Sequence, residues 1–243
     1  MRVAIVHDDL VQWGGAERVL EGICQIYPDA PIYTSVFDRN NKELVKRFGK
    51  KKIITSFLEK IPGWKSLYKA LLPLYPIAFE QFSFDNFDLV ISHTTRFAKS
   101  IITKPETKHI CFCHTPPRFL WHFSGYGNLG FADILMTKLR LYDQISANRV
   151  DYFLAGSENA KRRIKKIYRK DSKVVYPFVD LERFKDIESF DGGYFLTVAR
   201  DNSYKRIDLA KEACREIGAE LKIISGGLND EMVVRILSGC RAL

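Results

Sequence analysis

The chain has 243 residues, 46% of them hydrophobic and 28% charged, with a formal net charge of +9. That is the balance of a globular protein with a sizeable core. No apolar run approaches the ~20 residues that span a bilayer, and the polar His7-Asp8-Asp9 after the first apolar run excludes a signal peptide, so a cytoplasmic protein is expected. The positive charge favours polyanionic partners (nucleic acid, acidic membrane or phosphorylated small molecules) without choosing among them.

Short apolar runs alternate with helix-like stretches. Strands are predicted at 2–6, 32–37, 88–92, 109–113, 151–155, 173–176, 194–198 and 220–225, and helices at 15–26, 133–148, 157–168 and 205–217. Several of the strands are β-branched and apolar on both faces, as in a sheet covered on both sides. The alternation reads as α/β, doubly wound and Rossmann-like.

After the first strand comes Gly14-Gly15-Ala16-Glu17 at the head of a helix. Glycines there let a ligand approach the backbone, the free N–H groups attract anions, and Glu17 suits the helix dipole. The spacing is not that of a dinucleotide fingerprint, which disfavours a nicotinamide cofactor. Residues 42–70 then carry nine cations, among them Lys50, Lys51 and Lys52, interleaved with Trp64, Leu67, Tyr68, Leu71 and Leu72. A basic, aromatic-bearing amphipathic stretch of this kind fits an anionic membrane surface.

The next strand leads into Cys113-His114-Thr115-Pro116-Pro117-Arg118 and Trp121. His114 stands where the strand stops and the prolines force an extended chain, at the end of the sheet that faces the ligand crevice. An imidazole, an arginine and an indole there suit a sugar. The five cysteines are an odd, scattered set that reads as reduced thiols. Cys111 and Cys113 alternate along their strand without a second ligand pair at zinc-like spacing, so they are read as core residues.

Residues 161–170 add seven cations around Ile164, Ile167 and Tyr168, the pattern of a helix with a solvated outer face. A boundary is expected after Asp180, giving an N-terminal domain over 1–180, a linker over 181–193 ending in Gly192-Gly193, and a second unit over 194–243 too small to bury a core alone. In that unit Arg200 at a strand end and Lys205 at a helix start would suit a diphosphate.

Taken in order, these motifs resemble glycosyltransferase family 4, the retaining GT-B enzymes, and especially its mannosyltransferase-like members. The resemblance also draws on Pro76-Ile77-Ala78-Phe79-Glu80, Ala155-Gly156-Ser157, Val175-Tyr176-Pro177-Phe178-Val179-Asp180 and Tyr204-Lys205-Arg206-Ile207-Asp208. It implies two Rossmann-like domains, the N-terminal one on the acceptor side and the second on the donor side. It also implies transfer of a hexose, with GDP-mannose as donor, to a lipid-linked or polysaccharide acceptor. Gly14 and Gly15 would meet the donor phosphate, His114 the transferred sugar, and Arg200 and Lys205 the diphosphate as its charge grows. Glu17, Arg118 and Trp121 fall on the acceptor side. No D-x-D pair occurs, in keeping with metal-independent transfer without a cofactor.

The chain departs from the family pattern after Ile223-Ile224-Ser225-Gly226-Gly227, and it ends at Leu243 before the family's pair of donor-site glutamates. By that comparison the second unit is incomplete, and the chain is a truncated form, a degenerate gene product or a natural short form. Residues 1–243 alone are then expected to hold nucleotide sugars weakly and to show no measurable transfer. A non-catalytic lipid- or glycan-binding module is the rival reading. A nucleic-acid binder ranks third, because the cations follow no recognition motif.

Overall fold

A computed structural model describes residues 1–67, 70–121, 133–179, 181–185, 188–198, 206–224 and 230–243. Arg200 and Lys205 therefore lie outside the described residues. The chain divides into two compact units, with the break in the main chain between Pro177 and Phe178.

The first unit is built on seven parallel strands: β1 (Val3–His7), β2 (Ile32–Thr34), β3 (Ile53–Thr55), β4 (Leu89–Thr94), β5 (Lys108–Cys113), β6 (Tyr152–Ala155) and β7 (Ser172–Val174). Their order across the sheet is β3-β2-β1-β4-β5-β6-β7. The order reverses at β1, whose neighbours β2 and β4 lead away in opposite directions, so a crevice opens beyond the carboxyl ends of β1 and β4.

Both faces of the sheet are covered. Ala4 and Val6 of β1 belong to a core with Tyr75, Phe79, Phe84 and Phe97, while Ile5 between them packs on the other side with Leu20, Cys24, Leu44 and Phe48. That is the period-two alternation of a strand with a hydrophobic layer on each side. α1 (Gly15–Ile26) buries Val19, Leu20 and Cys24, one face of a helix. α2 (Lys42–Phe48) starts on Asn41, whose side-chain oxygen accepts from the N–H groups of Glu43 and Leu44. α3 (Trp64–Leu67) and α4 (Tyr75–Glu80) follow. α5 (Asp133–Ser146) and α6 (Glu158–Tyr168) complete the layers; Ser157 caps α6, which ends on Arg169 at φ 58°.

α5 and α6 meet at a buried polar knot. Lys99 pairs with Asp143 of α5, and both side chains are wholly buried. The other oxygen of Asp143 accepts from Tyr168 Oη and from Trp121 Nε1, each at 2.9 Å. Burying these charges is tolerable only because each is met by its complement and the remaining lone pairs are filled.

The basic stretch at 42–70 does not form one amphipathic element. The structure breaks it into α2, β3, a 3-10 turn at Phe57–Lys60 and α3. β3, preceded by three lysines, adds an edge strand beyond β2 that the alternating pattern did not reveal. Lys51 turns inward, its ammonium donating to the carbonyls of Cys24 and Pro28 near the end of α1. Trp64 is half-buried against the core, with Lys65 over its ring. Lys50 and Lys52 remain exposed. Lys50, Lys51, Lys52 and Trp64, expected to share one membrane face, therefore do not form a single exposed face: only Lys50 and Lys52 of the four are exposed.

The second unit carries β8 (Tyr194–Val198), α7 (Ile207–Glu216), β9 (Glu220–Ile224), α8 (Asp230–Ser238) and β10 (Cys240–Ala242), with parallel strands in the order β10-β8-β9. The expected linker is not free of structure. Leu181–Phe184 is a 3-10 turn, and the N–H groups of Phe190 and Gly192 donate to the carbonyls of Ser238 and Gly239. A Cβ at Gly239 would fall 2.7 Å from Tyr194 Oη, so the glycine lets the backbone close on that ring.

Candidate functional site

The parallel ladder sets the site. His7 pairs with His93 in register across β1 and β4, and His93 pairs with Phe112 across β4 and β5. His114 follows two residues after Phe112 and so shares its face. Three imidazoles from three adjacent strands therefore meet at the carboxyl end of the sheet.

They form one line. His7 Nδ1 lies 2.9 Å from His93 Nδ1, and His93 Nε2 lies 2.6 Å from His114 Nε2. At the inner end, His7 Nε2 stands 3.8 Å from a carboxylate oxygen of Glu17, on the first turn of α1. The rings of His7 and His93 stack at 5.0 Å, and His114 meets His93 edge-on at 4.6 Å. His7, Glu17 and His93 are buried, whereas His114 keeps partial exposure.

The surroundings pull these groups apart in charge. Burial works against a charge on His7, but the hydrogen bond and charge of Glu17, with the carboxylates of Asp8 and Asp9, outweigh it and raise its pKa. Burial, then His7 and His114, push His93 well below the usual imidazole value. Burial and His7 bring His114 down to about 4, against the smaller opposing pull of Asp8 and Glu17. Of the three rings, His7 is the one built to carry a proton.

Asp8 fixes the loop that follows β4. One of its oxygens accepts from Phe97 N at 2.9 Å, Ala98 N at 2.7 Å and Thr94 Oγ1 at 3.0 Å; the other accepts from Thr95 N at 2.6 Å and Arg96 N at 2.9 Å. Burial would raise its pKa, but Arg96, His7 and the Thr95 and Ala98 N–H groups outweigh that and lower it. Arg96 also pairs with Asp9. β1 and β4 are thereby locked together at the point where the sheet reverses.

Beside this line the start of α1 is open. Gly14 precedes the helix with extended backbone and no side-chain cap, and a Cβ on Gly15 would meet nothing within 4 Å. The first N–H groups of the helix thus face a space an anionic oxygen could enter.

The structure brings Glu17 and His114 to the two ends of one polar line and sets Gly14 and Gly15 at the head of the same helix as Glu17. Glu17 is committed to His7. Trp121 is half-buried against the core, with its indole N–H committed to Asp143. Arg118 is half-buried within the segment after His114. His7, His93, Asp8 and Arg96 were missed by the sequence reading, though a histidine at or just past the end of three strands was a signal available in it. Among the described residues no group of three His, Cys, Asp or Glu side chains is arranged to hold a metal ion, and no helix is long and apolar enough to cross a membrane.

The model of Glycosyltransferase Family 4 matches residues 13–183. Among solved structures, HepE (Alr3699) from Anabaena in complex with UDP and glucose is similar at a TM-score of 0.58 and 15% identity, over 99% of this chain and 72% of that one. The sucrose-phosphate synthase of Thermosynechococcus elongatus is similar at a TM-score of 0.58 and 11% identity, over 99% of this chain and 74% of that one. At such identities the likeness concerns the fold. No curated protein sequence matches the chain.

Proposed function

Because the chain belongs to glycosyltransferase family 4, we propose that it transfers a hexose from a nucleotide sugar to a lipid-linked or polysaccharide acceptor, with retention of configuration, in cell-surface glycan synthesis. The observation that carries this reading is the polar line Glu17–His7–His93–His114 at the carboxyl end of the sheet, beside the uncapped head of α1. Polar groups at a strand-order reversal are where open α/β sheets take ligands, and a helix start takes phosphates.

In the proposed reaction the bond from the anomeric carbon to the diphosphate breaks. A bond from the acceptor oxygen forms on the same face, and the acceptor's hydroxyl proton leaves with the nucleoside diphosphate. His114 faces the transferred sugar, Gly14 and Gly15 the donor phosphate, and Arg200 and Lys205 the growing charge of the leaving group. Arg118 stands on the acceptor side. Transfer proceeds without a metal ion. The family resemblance favours GDP-mannose; the Anabaena neighbour is known with UDP-glucose. The work is done at the cytoplasmic face of the membrane, held there by the exposed lysines.

The test is ligand-observed NMR with GDP-mannose and UDP-glucose, followed by a transfer assay on lipid-linked acceptors. Saturation transfer to at least one donor is expected, weakened at least tenfold by His114→Ala. In a form with a complete donor-side domain, Arg200→Ala should lower turnover by ~10²-fold, the usual loss for one oxyanion donor. No saturation transfer to either nucleotide sugar would sink the reading.

A further inference from the structure

Three imidazoles in a row have six ring nitrogens, and the geometry restricts where their hydrogens go. Each nitrogen–nitrogen contact, His7 to His93 at 2.9 Å and His93 to His114 at 2.6 Å, needs one hydrogen and only one. Glu17 holds a carboxylate oxygen 3.8 Å from His7 Nε2, too far for a short hydrogen bond but near enough for a group that only accepts to favour a hydrogen on that nitrogen.

With all rings neutral, one arrangement satisfies these conditions: His114 Nε2–H donates to His93 Nε2, His93 Nδ1–H donates to His7 Nδ1, and His114 Nδ1 is bare. With one proton more, His114 Nδ1 bears hydrogen and the charge can sit on any of the three rings. With the charge on His7 both ring-to-ring hydrogen bonds run the other way: His7 donates from Nδ1 and His93 from Nε2. Glu17 beside His7, and the His93 carbonyl 3.3 Å from His7 Nδ1, which can only accept, favour that form.

His114 Nδ1 is the atom at the free end. Its ring is partly exposed, its Nε2 is taken by His93, and a methyl group on Gly156 would lie 3.7 Å from it. We propose that Glu17, His7 and His93 are positioning residues that act as a proton relay, setting whether His114 meets a ligand as hydrogen-bond donor or acceptor. A proton that binds His114 Nδ1 is matched by transfer of Nε2–H to His93 and of Nδ1–H from His93 to His7. The charge comes to rest two rings inward, beside Glu17. Hydrogens and charge balance without a co-reactant.

The charged groups around the line are consistent with that resting place. Glu17 faces His7 from α1, Asp8 and Asp9 adjoin it after β1, and Arg96, after β4, is paired with Asp9. Burial and its two fellow imidazoles lower the pKa of His93; burial and His7 lower that of His114, against the opposing charges of Asp8 and Glu17. While His7 is charged, His114 offers a hydrogen to oxygens that only accept, such as those of a phosphate. Once His7 is neutral, His114 accepts from a hydroxyl. That the ligand is a nucleotide sugar or its acceptor rests on the function proposed above; the relay does not.

The test is long-range proton–nitrogen NMR on protein labelled with 15N-histidine, without ligand, across the neutral pH range. It distinguishes hydrogen-bearing from bare ring nitrogens. His114 Nδ1 should lose its hydrogen at the same midpoint at which His7 loses its charge. Glu17→Gln should move both midpoints down together by about one pH unit or more, since it removes the opposite charge beside His7. His93→Phe should uncouple the two titrations. Separate midpoints in the wild-type protein, or a His114 tautomer that ignores Glu17→Gln, would overturn the relay; should His93→Phe not fold, the Glu17→Gln result decides alone. A relay seen by NMR in a protein that binds no nucleotide sugar would leave the inference standing and the proposed function fallen.

Discussion

The two units share one construction rule, parallel strands alternating with helices, yet bury very different things. In the first, large rings such as Tyr75, Phe79, Phe84 and Phe97 are fully enclosed, and so are charged groups that meet their complements, Lys99 with Asp143 above all. In the second, Tyr194, Leu196, Cys214, Ile224 and Val234 are buried, while Phe178, Phe184, Phe190, Leu209 and Ile217 are exposed. Ion pairs such as Arg206 with Asp208 and Arg241 with Asp191 lie in water there. A covered seven-stranded sheet excludes solvent well enough for burial to shift the pKa values of His93, His109 and His114, whereas those of Asp191 and Asp208 are lowered by exposed arginine partners. The line of tuned imidazoles lies wholly within the first unit.

The largest expected effect tests that contrast. Asp143→Ala would strand Lys99, Tyr168 and Trp121 without their acceptor. Denaturant unfolding should show a loss of about 3–5 kcal/mol, as for other buried pairs broken from one side. Asp191→Ala removes an exposed partner and should leave the midpoint where it was. Native-state hydrogen exchange should likewise find the amides of β1, β4 and β5 slower than those of β8 and β9. Equal losses from the two substitutions would erase the distinction.

Next in size is a pH effect confined to the first unit. His109 donates from Nδ1 to the Arg149 carbonyl at 3.3 Å and has Ser92 Oγ 2.8 Å from Nε2, and burial lowers its pKa to about 4. Its unfolded value is near 6.5, so below that the unfolded chain binds the proton and the fold does not. Stability should therefore fall as pH drops from about 6.5 towards 4. The loss is roughly 3 kcal/mol when complete, at 1.36 kcal/mol per unit. His109→Gln should flatten that part of the profile measured by thermal or denaturant unfolding. An unchanged acid limb would assign it to His93 and His114 instead.

How much of this was legible depended on what each residue's signal was made of. Period and composition gave β1, β4, β5 and β8 nearly to the residue, and the glycine turn marked the head of α1. β3 and β10 were missed because β3 follows the lysines at 50–52 and β10 is only Cys-Arg-Ala, whereas the equally short β2 and β7 lie in longer apolar runs. His114 and Glu17 stood in motifs. His7 and His93 did not: each reads as the polar end of an apolar strand, and only the register between β1 and β4 turns them into neighbours. Trp121 and Lys51 looked available because a sequence does not show that Asp143 takes the indole N–H or that the Cys24 and Pro28 carbonyls take the ammonium.

A smaller effect belongs to the crevice. Gly156→Ala would add a methyl group in ordinary contact with His114 Nδ1 and Phe112, without backbone strain. Unfolding should be unchanged, while ligand affinity should fall by up to about tenfold, the worth of one hydrogen bond denied. Unaltered affinity by NMR titration would show that the ligand does not use that nitrogen.

The smallest expected effect concerns the surface and separates the lysines that the sequence grouped together. Lys50 and Lys52 are exposed beside α2, which adds the exposed Lys42 and Lys46. Each cation near an anionic leaflet contributes about 1 kcal/mol at most, and salt at 0.1 M screens the attraction beyond ~10 Å. Lys50→Glu with Lys52→Glu should therefore weaken sedimentation with phosphatidylserine-containing vesicles, and the weakening should shrink as salt is raised. Lys51→Glu acts differently, because its ammonium meets the carbonyls near the end of α1; it should lower thermal stability more than vesicle binding. Lys211→Glu with Arg215→Glu, on the exposed side of α7, makes the same charge change in the second unit and should leave binding unaltered if attachment belongs to the first. Equal losses from both pairs would reduce the effect to net charge, and equal binding to neutral vesicles would remove the electrostatic account altogether.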